Sequence, residues 1–395
     1  MRILYAAIDQ SVPGAHGGSV HVRSVAEGLA ARGHDVHVLA APGAGPFPDG
    51  RVTWHALGPP FGLRQLRLAR ARRVTSLARR LHPDAVIERY YNFGGEGLRA
   101  AEVVGAIAVL EVNAPVIDYP GSPKRMLDRA LIVEPLRRWR DWQCRIADLI
   151  VTPTPAILPA FVDAARVVRL EWGADTARFH PGVADPPPFD APSGRTRAVF
   201  AGTFRRWHGA SHLVEAIRLL RSRGHQDVDA VFIGEGPELE RTRSAARGLQ
   251  GVLFTGAVPH ERMPAALAAA HIGVAPFDSA AHPALSIDFY WSPLKIFEYM
   301  AAGLPVVAPA IDRLREIVRP GREGMLYDPG SVESLADAID TLTEPSTRER
   351  LGASARARVV EAYSWATHCE RLEAAIAATL ARRQDARSGM PPPQP

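Results

Sequence analysis

Short apolar runs alternate with helical stretches and glycine-bearing loops along almost the whole chain, and few folds accommodate that alternation. Ile3 to Ile8 reads as a strand, Gly14 to Gly18 as a loop, Val20 to Ala31 as a helix ended by Gly33, and Val36 to Ala40 as the next strand. A strand, a helix and a strand in that order build a parallel pair. The pattern recurs at Ala85–Glu88, Ala106–Val112 and Leu149–Thr152, with further strands at Val52–Ala56 and Val167–Leu170. A segment rich in proline, PGVADPPPFDAPSGRT from Pro181 to Thr196, then interrupts it as a linker would. A second series follows at Ala198–Ala201, Ala230–Ile233, Val252–Thr255, Ile272–Pro276, Val306–Ala308 and Met325–Tyr327. The expected fold is α/β, with two Rossmann-like doubly wound domains at residues 1–180 and 197–364 joined by a linker at 181–196. A last helix is expected at 365–385 and a disordered tail at 386–395, where the chain ends in SGMPPPQP. Ligands of such sheets bind beyond the carboxyl ends of the strands, here in a cleft expected between the halves.

With 395 residues, 47% apolar and 23% charged, the chain has a globular composition and length enough for two cores. A formal charge of only +5 leans toward acidic small molecules or an anionic surface, and no nucleic-acid module is visible. Cys144 and Cys369 lie far apart in helical segments and read as buried thiols rather than a disulfide. No apolar run reaches the roughly 18 residues of a spanning helix, and MRILYAAID reads as a first strand rather than a signal segment. A cytoplasmic enzyme is the expectation.

Nearly every cation is arginine; Lys124 and Lys295 are the only lysines. Lys295 lies in SPLKIFEYMAAGLPVVAP, Ser292 to Pro309. Ser292 as N-cap and Pro293 in the first turn predict a helix start. Ile296, Phe297, Met300 and Ala301 supply its apolar face, Gly303 its end, and Leu304 to Ala308 a buried strand. A compact ammonium near a helix N-terminus suits phosphate, and Glu298, one turn on, suits sugar hydroxyls. The plain alternative is a solvated ion pair.

Other segments carry candidate groups. Gly17 and Gly18 precede the first helix in SVPGAHGGS, which does not fit G-x-G-x-x-G; they offer close backbone approach to a phosphate or sugar, or simply a turn. Arg205, Arg206 and His208 in GTFRRWHG converge on a helix start, as a diphosphate site or an exposed basic loop, with His208 placed to titrate near neutrality. Gly234 and Gly236 bracket Glu235 after a strand, a turn able to pass a nucleobase or ribose. Asp288 and Tyr290 are the members of the long loop DSAAHPALSIDFYW best able to bond a sugar. In the first half, Tyr90, Tyr91, Asn92, Glu111, Asn113 and Asp118 sit at strand carboxyl ends, where an acceptor hydroxyl would be met. Leu63 to Arg80 carries seven arginines beside Leu66, Val74, Leu77 and Leu81 and predicts a basic helix, either solvated or docked on anionic lipid through Arg64–Arg80.

Taken in order, these segments resemble the family 4 retaining glycosyltransferases of the two-Rossmann GT-B fold. The resemblance rests on the GGS loop with AEGLAARGHDVHVLA, and on WGADTARFHP, which is similar to the family's domain-crossing N-G-V-D-x-x-x-F-x-P. It continues through VFIGEGPELE, VLFTGAVPHERMPAALAAAHIGVAPF, SPLKIFEYMAAGLPVVAP and EIVRPGREGMLYDPG, and closes on YSWATHCERLE, similar to the helix that returns to the first domain. It implies a nucleotide diphosphate sugar donor, UDP- or GDP-linked, on the second domain. The acceptor is a hydroxyl of a polysaccharide, lipid-linked glycan or natural product on the first, with no further cofactor and no metal. By the same resemblance Glu298 is the second acid of E-x7-E and binds the donor ribose, while the first acid falls on Tyr290, leaving Asp288 to substitute. The family's diphosphate-binding Arg and Lys fall on Thr203 and His208, so Arg205, Arg206 and Lys295 are expected to supply the charge, Arg206 and Lys295 as catalytic residues. Its first-domain catalytic histidine falls on Asn113. A GT-B sugar-nucleotide 2-epimerase and a non-catalytic nucleotide-sugar-binding protein share the architecture and stand as alternatives.

Overall fold

The computed structural model describes residues 1–388 except 15, 132 and 192. The chain divides into two compact units. The first holds Met1–Trp172, Tyr290–Ser292 and the chain from Trp365 onward; the second holds Gly173–Phe289 and Pro293–Ser364. The crossing at Trp172 thus precedes the proline-rich segment, and residues 173–180 belong to the second unit.

In the first unit β1 (Arg2–Val12), β2 (Asp35–Pro42), β3 (Thr53–Ala56), β4 (Ala85–Arg89), β5 (Ile107–Glu111), β6 (Leu149–Thr152) and β7 (Val167–Arg169) form one parallel sheet. Its order is β3-β2-β1-β4-β5-β6-β7. The central strands are apolar on both faces because helices cover both; Ile3 to Ile8 are wholly buried. The helices are α1 (Gly17–Ala31), α2 (Ala71–Leu81), α3 (Glu96–Val104), α4 (Pro123–Ala130) and α5 (Pro135–Ile146). In the second unit β8 (Thr196–Ala201), β9 (Val228–Ile233), β10 (Val252–Gly256), β11 (Ile272–Val274), β12 (Val306–Pro309) and β13 (Gly324–Tyr327) pair in parallel in the order β10-β9-β8-β11-β12-β13. Its helices are α6 (Ala210–Ser222), α7 (Leu239–Ala245), α8 (Met263–Ala268), α9 (Leu294–Ala301), α10 (Leu314–Ile317), α11 (Val332–Thr341) and α12 (Pro345–Ala362). Phe200, Phe204, Phe232, Leu213 and Ile217 centre its core.

Each sheet reverses its strand order once, between β1 and β4 and between β8 and β11. These are the switch points at which the flanking loops diverge and leave room for a ligand. A last helix, α13 (Trp365–Ser388), belongs to the first unit, where the buried Cys369 packs on α1 at Gly28. It takes up residues 386–388 of the expected tail, and the rest of that tail lies outside the described residues. In the second unit Ala174 N–H donates to Tyr363 O at 2.9 Å, and Ala174 bridges Ser364, so the ends of that unit lie side by side. Both cysteines are free and buried.

Two local expectations need correction. The stretch Leu63–Arg80 is not one helix: a 3-10 segment at Arg64–Arg70 precedes α2, and Arg67 is fully buried instead of joining a basic face. Ser292 does not cap α9. The helix begins after Pro293 with no side-chain cap, because the Ser292 hydroxyl donates to Glu171 Oε2 at 3.0 Å and accepts from Trp172 N at 3.1 Å. The other end is as expected: Gly303, at φ 76°, donates to Met300 O and Leu304 to Tyr299 O, a left-handed glycine cap.

Candidate functional site

Lys295 sits at the switch point of the second sheet. Its Nζ lies 4.2 Å from the ring centroid of Phe200 on β8 and 5.2 Å from that of Phe277, just beyond β11. Although its stem keeps some exposure, the Nζ is buried and has no hydrogen-bond partner among the described residues. A methyl group added at Gly202 would come within 3.0 Å of it, so only glycine leaves that approach open. Burial lowers the Lys295 pKa to about 7, with Glu298 opposing. Aromatic faces soften the cost of a buried ammonium but do not replace hydrogen bonds. Such a group is suited to an anion that arrives from outside the protein.

The remaining candidates of this unit fall into separate environments. Glu298, one turn along α9, reaches His260 Nε2 at 3.4 Å. His208 turns its Nδ1 to Thr203 O, and burial, with Lys295 adding, holds its pKa far below the ordinary value, so His208 stays neutral and does not titrate near pH 7. Arg205 and Arg206 do not join Lys295. They line a different cavity of about 140 Å³ with Ser211, His212, Glu238, Arg241, Thr242 and Asp278 at the start of α6. Gly234 and Gly236 hold positive φ and press on Gly202 and Phe204, where a Cβ would come within 2.1 and 2.6 Å of backbone atoms. Their glycine character therefore serves the packing of the loop on which Lys295 rests. Asp288 adds its charge beside Asp312, whose carboxylate accepts from the Phe289 amide at 2.8 Å.

In the first unit the candidates gather at the carboxyl ends of β1, β4 and β5. Asn113 follows β5; its Oδ1 accepts from Trp172 Nε1 at 2.9 Å and its Nδ2 donates to Glu111. Glu111 also accepts from Tyr5 and from Arg89 at 2.9 Å and lies 2.7 Å from His21 Nε2. Burial alone would raise the Glu111 carboxyl, but His21, Arg89 and Tyr5 outweigh it and hold it below the ordinary range. Asn113 is thus an oriented amide and has no basic atom. Gly17 and Gly18 open α1, and a side chain at Gly18 would meet Gln10 Oε1 at 2.1 Å. Tyr290 belongs to this unit and is buried, its hydroxyl pushed up by burial.

Sequence reading missed the ion network at this sheet's switch point. Arg67 donates to Asp9 at 2.9 Å, to Glu88 at 2.8 Å and to Glu96 at 2.7 Å. All four side chains are almost wholly buried. It also missed His260; the only signal was its place in the matched GAVPHERMP run.

A profile described as Glycosyltransferase Family 4 matches residues 15–178, and one described as Glycosyl transferases group 1 matches residues 195–344. The chain belongs to glycosyltransferase family 4. This glycosyltransferase is 29% identical to a GDP-mannose-dependent alpha-mannosyltransferase of Mycolicibacterium smegmatis, covering 97% of this chain and 99% of that one. A glycosyltransferase from Rickettsia africae superposes with a TM-score of 0.73 at 15% identity, over 96% of this chain and 98% of its own. Anabaena HepE, solved with UDP and glucose, gives 0.67 at 17% identity over 96% and 100%. Both structures share the GT-B fold of paired parallel-sheet Rossmann-like domains.

Proposed function

We propose that this glycosyltransferase moves a hexosyl group from a nucleotide diphosphate sugar to an acceptor hydroxyl with retention at the anomeric carbon and without a metal ion. The observation that carries this reading is the partnerless Nζ of Lys295 at the switch point of the second sheet. A diphosphate there gains a charge-assisted hydrogen bond, and charge building on it as the glycosidic bond breaks is met by a cation already in place. The acceptor's proton passes to the leaving diphosphate, so no protein base is needed, in keeping with an amide at Asn113. Glu298 accepts hydroxyl hydrogen bonds from the donor ribose, held by His260. Arg205 and Arg206 meet a more distant part of the donor from the cavity at the start of α6. His208, buried and feeling the charge of both Lys295 and Arg205, stays neutral and contributes a hydrogen bond and no charge. In the second unit Asp288 borders the donor, and Gly234 and Gly236 keep the loop beneath Lys295 closely packed. A GDP-sugar ranks first, supported by the relative named for GDP-mannose, with a UDP-sugar second by the UDP-bound structural neighbour.

Thermal-shift titration with GDP-mannose, GDP-glucose and UDP-glucose, followed by turnover in EDTA and NMR of the product anomer, tests the reading. Stabilisation by one donor and a retained anomer are expected. Isomerisation of the donor without acceptor, or binding that never leads to turnover, would replace it.

A further inference from the structure

Helix α4 is built inside out. A helix on an aqueous protein buries its apolar stripe and exposes its charges, but in α4 the one buried residue is Asp128. Its carboxylate accepts from Leu136 N at 2.8 Å and faces Arg140 of α5 at 3.3 Å, while Arg140, itself buried, also reaches Asp118 at 3.0 Å. Lys124 fastens the first turn by donating to Pro115 O at 2.6 Å. Polar contacts anchor the helix, and its large apolar side chains point away. In the helix Met126 is 68% exposed and Leu127 47%, and just beyond its end Leu131 is 48% and Val133 56% exposed. Exposed arginines surround them: Arg125, Arg129 and Arg138 have no carboxylate partner among the described residues, and only Arg137 faces one, Glu134 at 3.4 Å.

A second exposed apolar run lies in the same unit. Phe61, Leu63 and Leu66 are exposed beside Arg64. Arg67 beneath Gly94 ties that segment to the loop after β4, and Trp139 of α5 donates to Gly94 O at 2.9 Å. Most of the exposed large hydrophobics of the described chain fall in these two runs. Aliphatic side chains ringed by unpaired guanidinium groups match the boundary of a bilayer, where the apolar groups enter the acyl region and the cations meet lipid phosphates.

We propose that the α4–α5 segment docks the first unit on an anionic lipid bilayer. The docking does not depend on the identity of the donor. The contact is centred on Met126, Leu127, Leu131 and Val133, and Arg67 of the Arg64–Arg80 stretch, being buried, takes no part in it.

Flotation of the full chain with vesicles of phosphatidylcholine, alone or with phosphatidylglycerol, tests this. Binding to the anionic vesicles that weakens with added salt is expected. The triple variant Met126→Ser/Leu127→Ser/Leu131→Ser and the pair Arg125→Glu/Arg129→Glu should each weaken it about tenfold or more. A control, Leu253→Ser/Val360→Ser, removes exposed apolar groups of the second unit and should leave binding unchanged. Circular dichroism of each variant should match the parent, since the altered side chains are exposed. No flotation, equal flotation of parent and triple variant, or an equal loss in the control overturns the proposal. So does a dimer in sedimentation velocity that the triple variant breaks while vesicles are ignored, because a second copy would then be the occupant.

Discussion

The two switch points hold opposite solutions to one problem. Each places a buried cation where a Rossmann-like sheet binds its ligand. In the first unit Arg67 is surrounded by Asp9, Glu88 and Glu96 and is closed by the protein itself. In the second Lys295 has aromatic rings and no hydrogen-bond partner among the described residues. Arg67 is accordingly a structural brace, and Lys295 is, on the proposed reading, a group whose partner comes from solution. The choice of residue fits: a planar fork suits three fixed carboxylates, while a compact ammonium suits an anion that arrives and leaves.

The widest test of this contrast is Arg67→Met. Removing the cation strands three buried carboxylates, and urea denaturation should show a loss of about 3–5 kcal/mol. A stable Arg67→Met protein would end the view of Arg67 as a brace. Lys295→Met should do the reverse, lowering kcat/KM for sugar transfer by roughly 100- to 1,000-fold without lowering the urea midpoint. Equal turnover would remove Lys295 from the site. Donor affinity should next depend on pH. Lys295 has a pKa of about 7 in the free protein, and a diphosphate raises it, so binding takes up a proton. Affinity should fall above pH 7 by up to about tenfold per unit, read by calorimetry in buffers of different ionisation heat, and be flat in Lys295→Met. The smallest effect concerns stability. The unfolded chain binds the Lys295 proton more tightly than the folded one, so folding stability rises with pH above 7. That contribution amounts to at most about 1.4 kcal/mol between pH 7 and 8, and Lys295→Met should lose it.

What could be read from the sequence follows the range of the interactions. Strands and helices form where short-range apolar periodicity sets them, and Gly303 ends α9 because its cap is made within one turn. Ser292 fails as a cap because Glu171 and Trp172, remote in sequence, claim its hydroxyl. Arg67 looked like one more cation of a basic helix because its carboxylates come from three different segments. His208 looked titratable, but the buried environment and the charge of Lys295 keep it neutral. The family resemblance sets Arg205 and Arg206 with Lys295 as diphosphate cations, but the turn at Arg206–His208 directs them to a cavity at the start of α6 that Lys295 does not line.

The adjoining ends of the second unit, with Ala174 paired beside Tyr363 and Ser364, make it topologically an insert within the first. Its chain leaves and returns at one place, with Tyr290–Ser292 as the only excursion. A cut near Gly173 and Ser364 therefore removes the second unit without interrupting any strand of the first sheet.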